Sequence, residues 1–247
     1  PAGRGGTWNN DGTIVFCPVN GISPLSRVSA SGGIPVVITT LDSSRTETSH
    51  RWPAFLPDGR HFLCLSRTTI AGIGERDAIL LGSLDSTFKP RILINSGSNA
   101  LYASGHILFA RDQTLIAQPF DAKTLQVTGE EFPVGERVNF EPFGGKVSFS
   151  VSENGILAYQ TGWSSSGVGL SWSDRSGKHA GTINQSSVYD AFRISPDGKR
   201  IALSQLDSKS RNADIWLYEI SRAMWTRFTF DPASERWPIW SPDGGTV

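Results

Sequence analysis

Two serines occupy the same tetrapeptide, Ser195-Pro196-Asp197-Gly198 and Ser241-Pro242-Asp243-Gly244. A serine acts as a nucleophile where a sharp elbow exposes it to a base, and Gly-x-Ser-x-Gly is a common carrier of that geometry. That pattern is absent, and a serine ahead of Pro-Asp-Gly suits a turn. The four histidines, His50, His61, His106 and His179, are each more than ten residues from the next. Neither His-Glu-x-x-His nor Cys-x-x-Cys occurs, and the acidic residues before turn glycines lack calcium-loop spacing. Gly32-Gly33, Gly72-x-Gly74 and Gly144-Gly145 are not followed by lysine in a phosphate-loop arrangement. The expectation is a chain with no catalytic residues, no metal site and no cofactor.

The elements that would position any site are set by a repeat. Arg51-Trp52-Pro53-Ala54-Phe55-Leu56-Pro57-Asp58-Gly59 and Arg236-Trp237-Pro238-Ile239-Trp240-Ser241-Pro242-Asp243-Gly244 agree at six of nine positions, 185 residues apart. Turn glycines at Gly12, Gly59, Gly105, Gly155, Gly198 and Gly244 follow at spacings of 47, 46, 50, 43 and 46. After each comes a short apolar run: Ile14–Cys17, Phe62–Leu65, Ile107–Ala110, Ile156–Tyr159 and Ile201–Leu203. Such runs, bounded by turns, read as strands covered on both faces. A third strand is expected at Ala78–Leu84, Leu115–Phe120, Gly169–Ser173 and Asp214–Ile220. A fourth, more polar one is expected at Pro35–Thr39, Arg91–Ile94 and Trp225–Thr229.

Four strands per period of about 46 residues predict an all-β propeller of four-stranded antiparallel blades. Five full blades and the start of a sixth are expected, as one domain over residues 1–247, with blades near 6–40, 50–95, 99–138, 145–184, 189–230 and 236–247. Blade three departs from the pattern, with Ser104-Gly105 in place of Asp-Gly, which predicts a weaker turn there. The sixth blade stops after its first strand, which predicts an open seam with an unpaired, association-prone edge. Cys17 and Cys64 each stand five residues after a turn glycine. As equivalent positions on facing sheets about 10 Å apart, they are expected to be buried core residues rather than a disulfide.

Charge excludes some partners. Lys+Arg and Asp+Glu are 23 each, for a net charge of zero. That balance gives no footprint for nucleic acid, and no apolar run approaches the roughly twenty residues of a membrane span. A propeller takes ligands at its channel mouths, where the leading loop of each first strand opens. The residues there are His50, Arg51, Tyr189, Asp190, Glu235 and Arg236, with His50 matching Glu235 and Arg51 matching Arg236 in repeat phase. Two readings stand: a mouth that takes a protein, a peptide or a small polar ligand, or charge pairs that tie blades together. Trp8, Trp52, Phe55, Trp237 and Trp240, at fixed phase before the turns, read as blade packing.

These turns at this spacing resemble the WD40-like (PD40) repeats of TolB-type propellers over the whole chain. A narrower resemblance covers residues 5–138. Gly6-Thr7-Trp8 through Phe16, Val28 through Gly33, Glu47 through Leu63, and Gln118-Pro119-Phe120-Asp121 look like the propeller that follows the catalytic domain of certain bacterial serine/threonine kinases. That resemblance implies a periplasmic or extracytoplasmic sensory module tethered by an upstream helix. The kinase motifs themselves are absent. Prolyl-oligopeptidase-type peptidases, which gate an α/β-hydrolase with such a propeller, and free-standing periplasmic TolB-like scaffolds are the alternatives.

Overall fold

The computed structural model describes residues 4–18, 22–68, 76–141, 144–152, 155–161, 168–173, 179–207 and 212–247. The chain is all-β, in four-stranded antiparallel blades. It divides into two compact units: residues 1–133 with 140–147, and residues 134–139 with 148–247.

The first unit holds three blades. Blade one is β1 (Gly6–Trp8), β2 (Thr13–Phe16), β3 (Ser26–Ser29) and β4 (Val36–Val37), hydrogen-bonded in that order. Blade two is β5 (Ser49–Phe55), β6 (His61–Arg67), β7 (Ala78–Ser83) and β8 (Arg91–Asn95). Blade three is β9 (Leu101–Ala103), β10 (His106–Arg111), β11 (Thr114–Asp121) and β12 (Gln126–Val127). β13 (Phe132–Gly135) follows, and β14 (Phe140–Glu141) pairs with β15 (Lys146–Val147).

The alternation of side chains along β6 and β7 explains why their sequence is apolar throughout. Phe62, Cys64, Ala78 and Leu80 pack with Val15, Cys17 and Leu25 of blade one. Leu63, Ile79 and Leu81 point the other way and pack with Ile107, Phe109 and Ile116 of blade three. A sheet sandwiched between two others has no polar face. Cys17 and Cys64 are free and buried in one such layer.

In the second unit, β16 (Phe149–Val151), β17 (Leu157–Gln160), β18 (Val168–Ser173), β19 (His179–Ile194), β20 (Arg200–Leu206), β21 (Ala213–Glu219) and β22 (Met224–Arg227) form one sheet path in chain order. β19 runs sixteen residues without a break. Its first half closes blade four against β18, and its second half opens blade five against β20. Leu170 and Ile183 of blade four share a core with Phe192, Ile194, Ile201 and Leu203 of blade five.

Two details differ from expectation. At blade three, Ser104 (φ 49°) and Gly105 (φ 79°) both take left-handed backbone, and Ala103 pairs directly with His106. Positive φ at both central residues marks the type I′ turn, whose twist matches a two-residue hairpin, so the departure goes with a two-residue connection in place of the longer Pro-Asp-Gly turn. In the sixth repeat, residues 236–247 carry the turn but form no strand. Only three residues follow Gly244, too few to return as a ladder partner. The segment still packs: Trp240 is buried against Ala202 and Ile215 of blade five.

Candidate functional site

The repeat turn is built the same way in five copies. The amide of the turn glycine donates to the carbonyl three residues earlier: Gly12 to Asn9, Gly59 to Leu56, Gly155 to Ser152, Gly198 to Ser195 and Gly244 to Ser241. In four of them the side chain at that earlier position, Asn9, Ser152, Ser195 or Ser241, then accepts an amide from beyond the turn, and in the Gly59 copy, where that position is Leu56, Asp58 accepts the Arg60 and His61 amides instead. Ser195 Oγ takes Arg200 N at 2.9 Å and Ser241 Oγ takes Thr246 N at 2.9 Å. Both hydroxyls donate to the turn aspartate, Asp197 or Asp243, at 2.6 Å. No basic side chain is hydrogen-bonded to either hydroxyl in these contacts, so both serines are fasteners of their own turns.

The entrance residues divide between the units. His50 and Arg51 lie on β5 of the first, facing opposite sides of the strand. His50 is 1% exposed. Its Nδ1 lies 2.9 Å from Thr39 Oγ1 and its Nε2 lies 3.0 Å from Glu47 Oε2. Thr39 Oγ1 also accepts the Leu25 amide at 2.8 Å. Both ring nitrogens are thereby engaged, Nε2 with the Glu47 carboxylate and Nδ1 with the Thr39 hydroxyl. Burial alone would raise the Glu47 carboxyl. Hydrogen bonds from His50, the Asp42 amide and Ser66 outweigh it and hold the carboxyl down at about 2.

Arg51 is 7% exposed, and its Nε donates to Ser49 Oγ at 2.7 Å. Burial, then the charges of Arg4 and Arg67, bring its proton affinity down to about 10.

Tyr189, Glu235 and Arg236 lie in the second unit. Tyr189 is buried beside Trp225, rings parallel within 9° and 6.3 Å apart, and burial lifts its phenol to about 12. The side chain of Asp190 lies outside the described residues. Arg236 is exposed. Glu235 Oε2 accepts from Thr229 Oγ1 at 2.9 Å, and Thr229 Oγ1 accepts the Ile215 amide at 2.8 Å.

His50 and Glu235 thus share a role as well as a phase. Each is held by a threonine two residues beyond the fourth strand of the preceding blade, which also takes an amide at that blade's third strand. Thr39 and Thr229 escaped sequence reasoning because their loops to the next blade differ in length: eleven residues separate Thr39 from His50, and six separate Thr229 from Glu235.

One further feature recurs. Trp52 (φ 52°) and Trp237 (φ 62°) take left-handed backbone although each precedes a proline, a position that favours extended backbone. Gly5 (φ 81°) holds the same phase in blade one, seven residues before its turn glycine. In β5 this produces a bulge between Arg51 and Ala54. The bulge turns the Trp52 indole so that it donates to the Gly144 carbonyl at 2.8 Å. Among the described residues, no group of three or more His, Cys, Asp or Glu is placed to hold a metal ion, and no helix is long and apolar enough to cross a membrane.

No protein-family model matches the chain, and no curated protein matches it in sequence. Solved structures do match. TolB from Acinetobacter baumannii superposes over 97% of this chain with a TM-score of 0.74 at 15% identity. The fold is that of TolB-type β-propellers. A structure assigned as TolB from Agrobacterium tumefaciens covers 98% of the chain with a TM-score of 0.67 at 16% identity, and the chain spans 87% of it. A prolyl endopeptidase structure covers 93% at a TM-score of 0.59 and 10% identity, with the chain spanning 36% of it. The chain spans 57% of the Acinetobacter TolB.

Proposed function

We propose that this TolB-type propeller is a non-catalytic interaction or sensory module of a larger bacterial protein, placed outside the cytoplasm. The observation that carries the reading is the use of polar groups across the repeats. Serines that resemble nucleophiles fasten turns, and His50 and Glu235 fasten one blade to the next. What varies between blades is the set of loops around the first strands, where a protein, a peptide or a small polar ligand would be read. The parent best supported by the narrower sequence resemblance is a receptor-type serine/threonine kinase, with ligand binding biasing the state of the kinase. The structural likeness to a prolyl endopeptidase favours a second reading, a propeller that gates a peptidase.

The coding sequence on both sides of the chain tests these readings. A kinase catalytic loop and an apolar span of about twenty residues upstream support the sensor. A Gly-x-Ser-x-Gly elbow downstream supports the gate. The isolated chain is expected to hydrolyse neither ATP nor peptides, and robust turnover of either overturns the module reading.

A further inference from the structure

We propose that the second unit carries, at the entrance end of blade five, a binding site for a primary ammonium group, with Asp214 Oδ1 and Gln205 Oε1 as its acceptors. The two residues stand directly opposite each other where β20 pairs with β21, and Gln205 also stands opposite Tyr189 on β19. Partners across an antiparallel ladder share a face, with Cβ atoms about 5 Å apart. Asp214 is 6% exposed. Its Oδ2 pairs with Arg227 Nη2 at 2.9 Å. Its Oδ1 is buried with no hydrogen-bond partner among the described residues, and so is Gln205 Oε1. Two such oxygens on one face, shut away from water, are costly until a donor reaches them.

Blade two shows what fills the corresponding place. His50 and Ser66 face each other across β5 and β6. They hold the phases of Tyr189 and Gln205, nine residues before and seven after the turn glycine. One carboxylate answers both: Glu47 Oε2 lies 3.0 Å from His50 Nε2, and Glu47 Oε1 accepts from Ser66 Oγ at 2.7 Å. Glu47 belongs to the connection that leads into β5. Blade five has no such connection, because β19 runs unbroken out of blade four. Its row also has the opposite polarity, with open acceptors where Ser66 donates. The complement of this place is one nitrogen that carries hydrogens for two oxygens. A primary ammonium has three donors and a charge suited to the carboxylate. A calcium ion would call for more oxygen ligands and more carboxylates than this row supplies. The way in is bordered by the half-buried Gln205 and by Arg227, whose side chain is 39% exposed.

This deepens the module reading, on which it rests, by giving the chemistry of one group the propeller takes. The test is calorimetric titration of the 247-residue chain with Nα-acetyl-lysine N-methylamide at fixed ionic strength. The norleucine analogue, which lacks the ammonium, is the control. Saturable binding of one lysine probe per chain is expected, with none for norleucine. Asp214→Asn is expected to weaken binding about tenfold, the worth of one charge-assisted hydrogen bond. Should that variant not fold, Gln205→Leu, at a half-buried position, carries the same expectation. Equal responses to the two probes, or unchanged affinity in a folded variant, overturn the site. Tighter binding by Gln205→Leu means that the glutamine's own amide nitrogen answers Asp214, and overturns it as well. A glutamine analogue bound as tightly as the lysine probe replaces the ammonium with a primary amide and overturns the assignment. Those results leave the module reading standing, which fails instead if the parent protein binds its partner equally well without the propeller.

Discussion

Glu47 carries its charge almost wholly inside the protein, with a side chain 3% exposed. Its carboxyl is held down from 4.5 to about 2. A carboxyl depressed on folding stabilises the fold above its unfolded value, and that stability disappears as pH falls through the folded value. The protein is therefore expected to lose on the order of 2 kcal/mol between about pH 4.5 and pH 2 through this residue. Glu47→Gln should lower the melting temperature at neutral pH, and the gap to the parent should narrow as pH falls toward 2. Denaturant melts across that range read it directly, and a gap that stays constant with pH would remove the assignment. The turn serines make a second expectation at this scale. Ser195→Ala leaves the Arg200 amide without its acceptor at 2.9 Å and should cost about 1–2 kcal/mol, measured by denaturant unfolding.

Among the elements, the strands of the inner layers were plain in the sequence because each runs apolar on both faces. Phe62–Leu65 and Ile107–Ala110 lie within β6 and β10. The Ser104-Gly105 turn departs from Pro-Asp-Gly because its flanking strands close through two residues, both at positive φ. The candidate entrance residues were legible as a phase, His50 with Glu235, but their partners were not. Thr39 and Thr229 sit two residues past the fourth strands, where spacing to the next blade is free to vary. The left-handed tryptophans had one readable signal, the glycine at Gly5 in the same phase. Close approach inside a blade gives a prediction here. A Cβ added at Gly82 on β7 would fall 2.5 Å from the Phe62 ring, which is itself fully buried. Gly82→Ala should therefore cost about 1–3 kcal/mol through overpacking, and pairing it with Phe62→Leu should recover part of the loss.

At the scale of each unit, the layered cores mean that a blade is stabilised by the neighbours it packs on, as in other repeat proteins. Outer strands are where such a design is exposed. On β4 and just before it, Ile34, Val36 and Val37 are 90%, 54% and 61% exposed. An apolar outer strand with a free edge is a template for pairing with a second copy. Light scattering should show concentration-dependent association, and Val36→Lys should reduce it without lowering the melting temperature. Association unaffected by that change would point to another surface.

The unbroken run of β19 has a mechanical consequence. Blades four and five meet in one strand, so no slack loop lies between His179 and Ile194 to pay out when the ends are pulled. Tension on blade four would pass along the strand's own backbone into blade five and load the ladders with β18 and β20 together. Under force, these two blades should therefore give way as one event, with a single long release of contour length rather than two short ones.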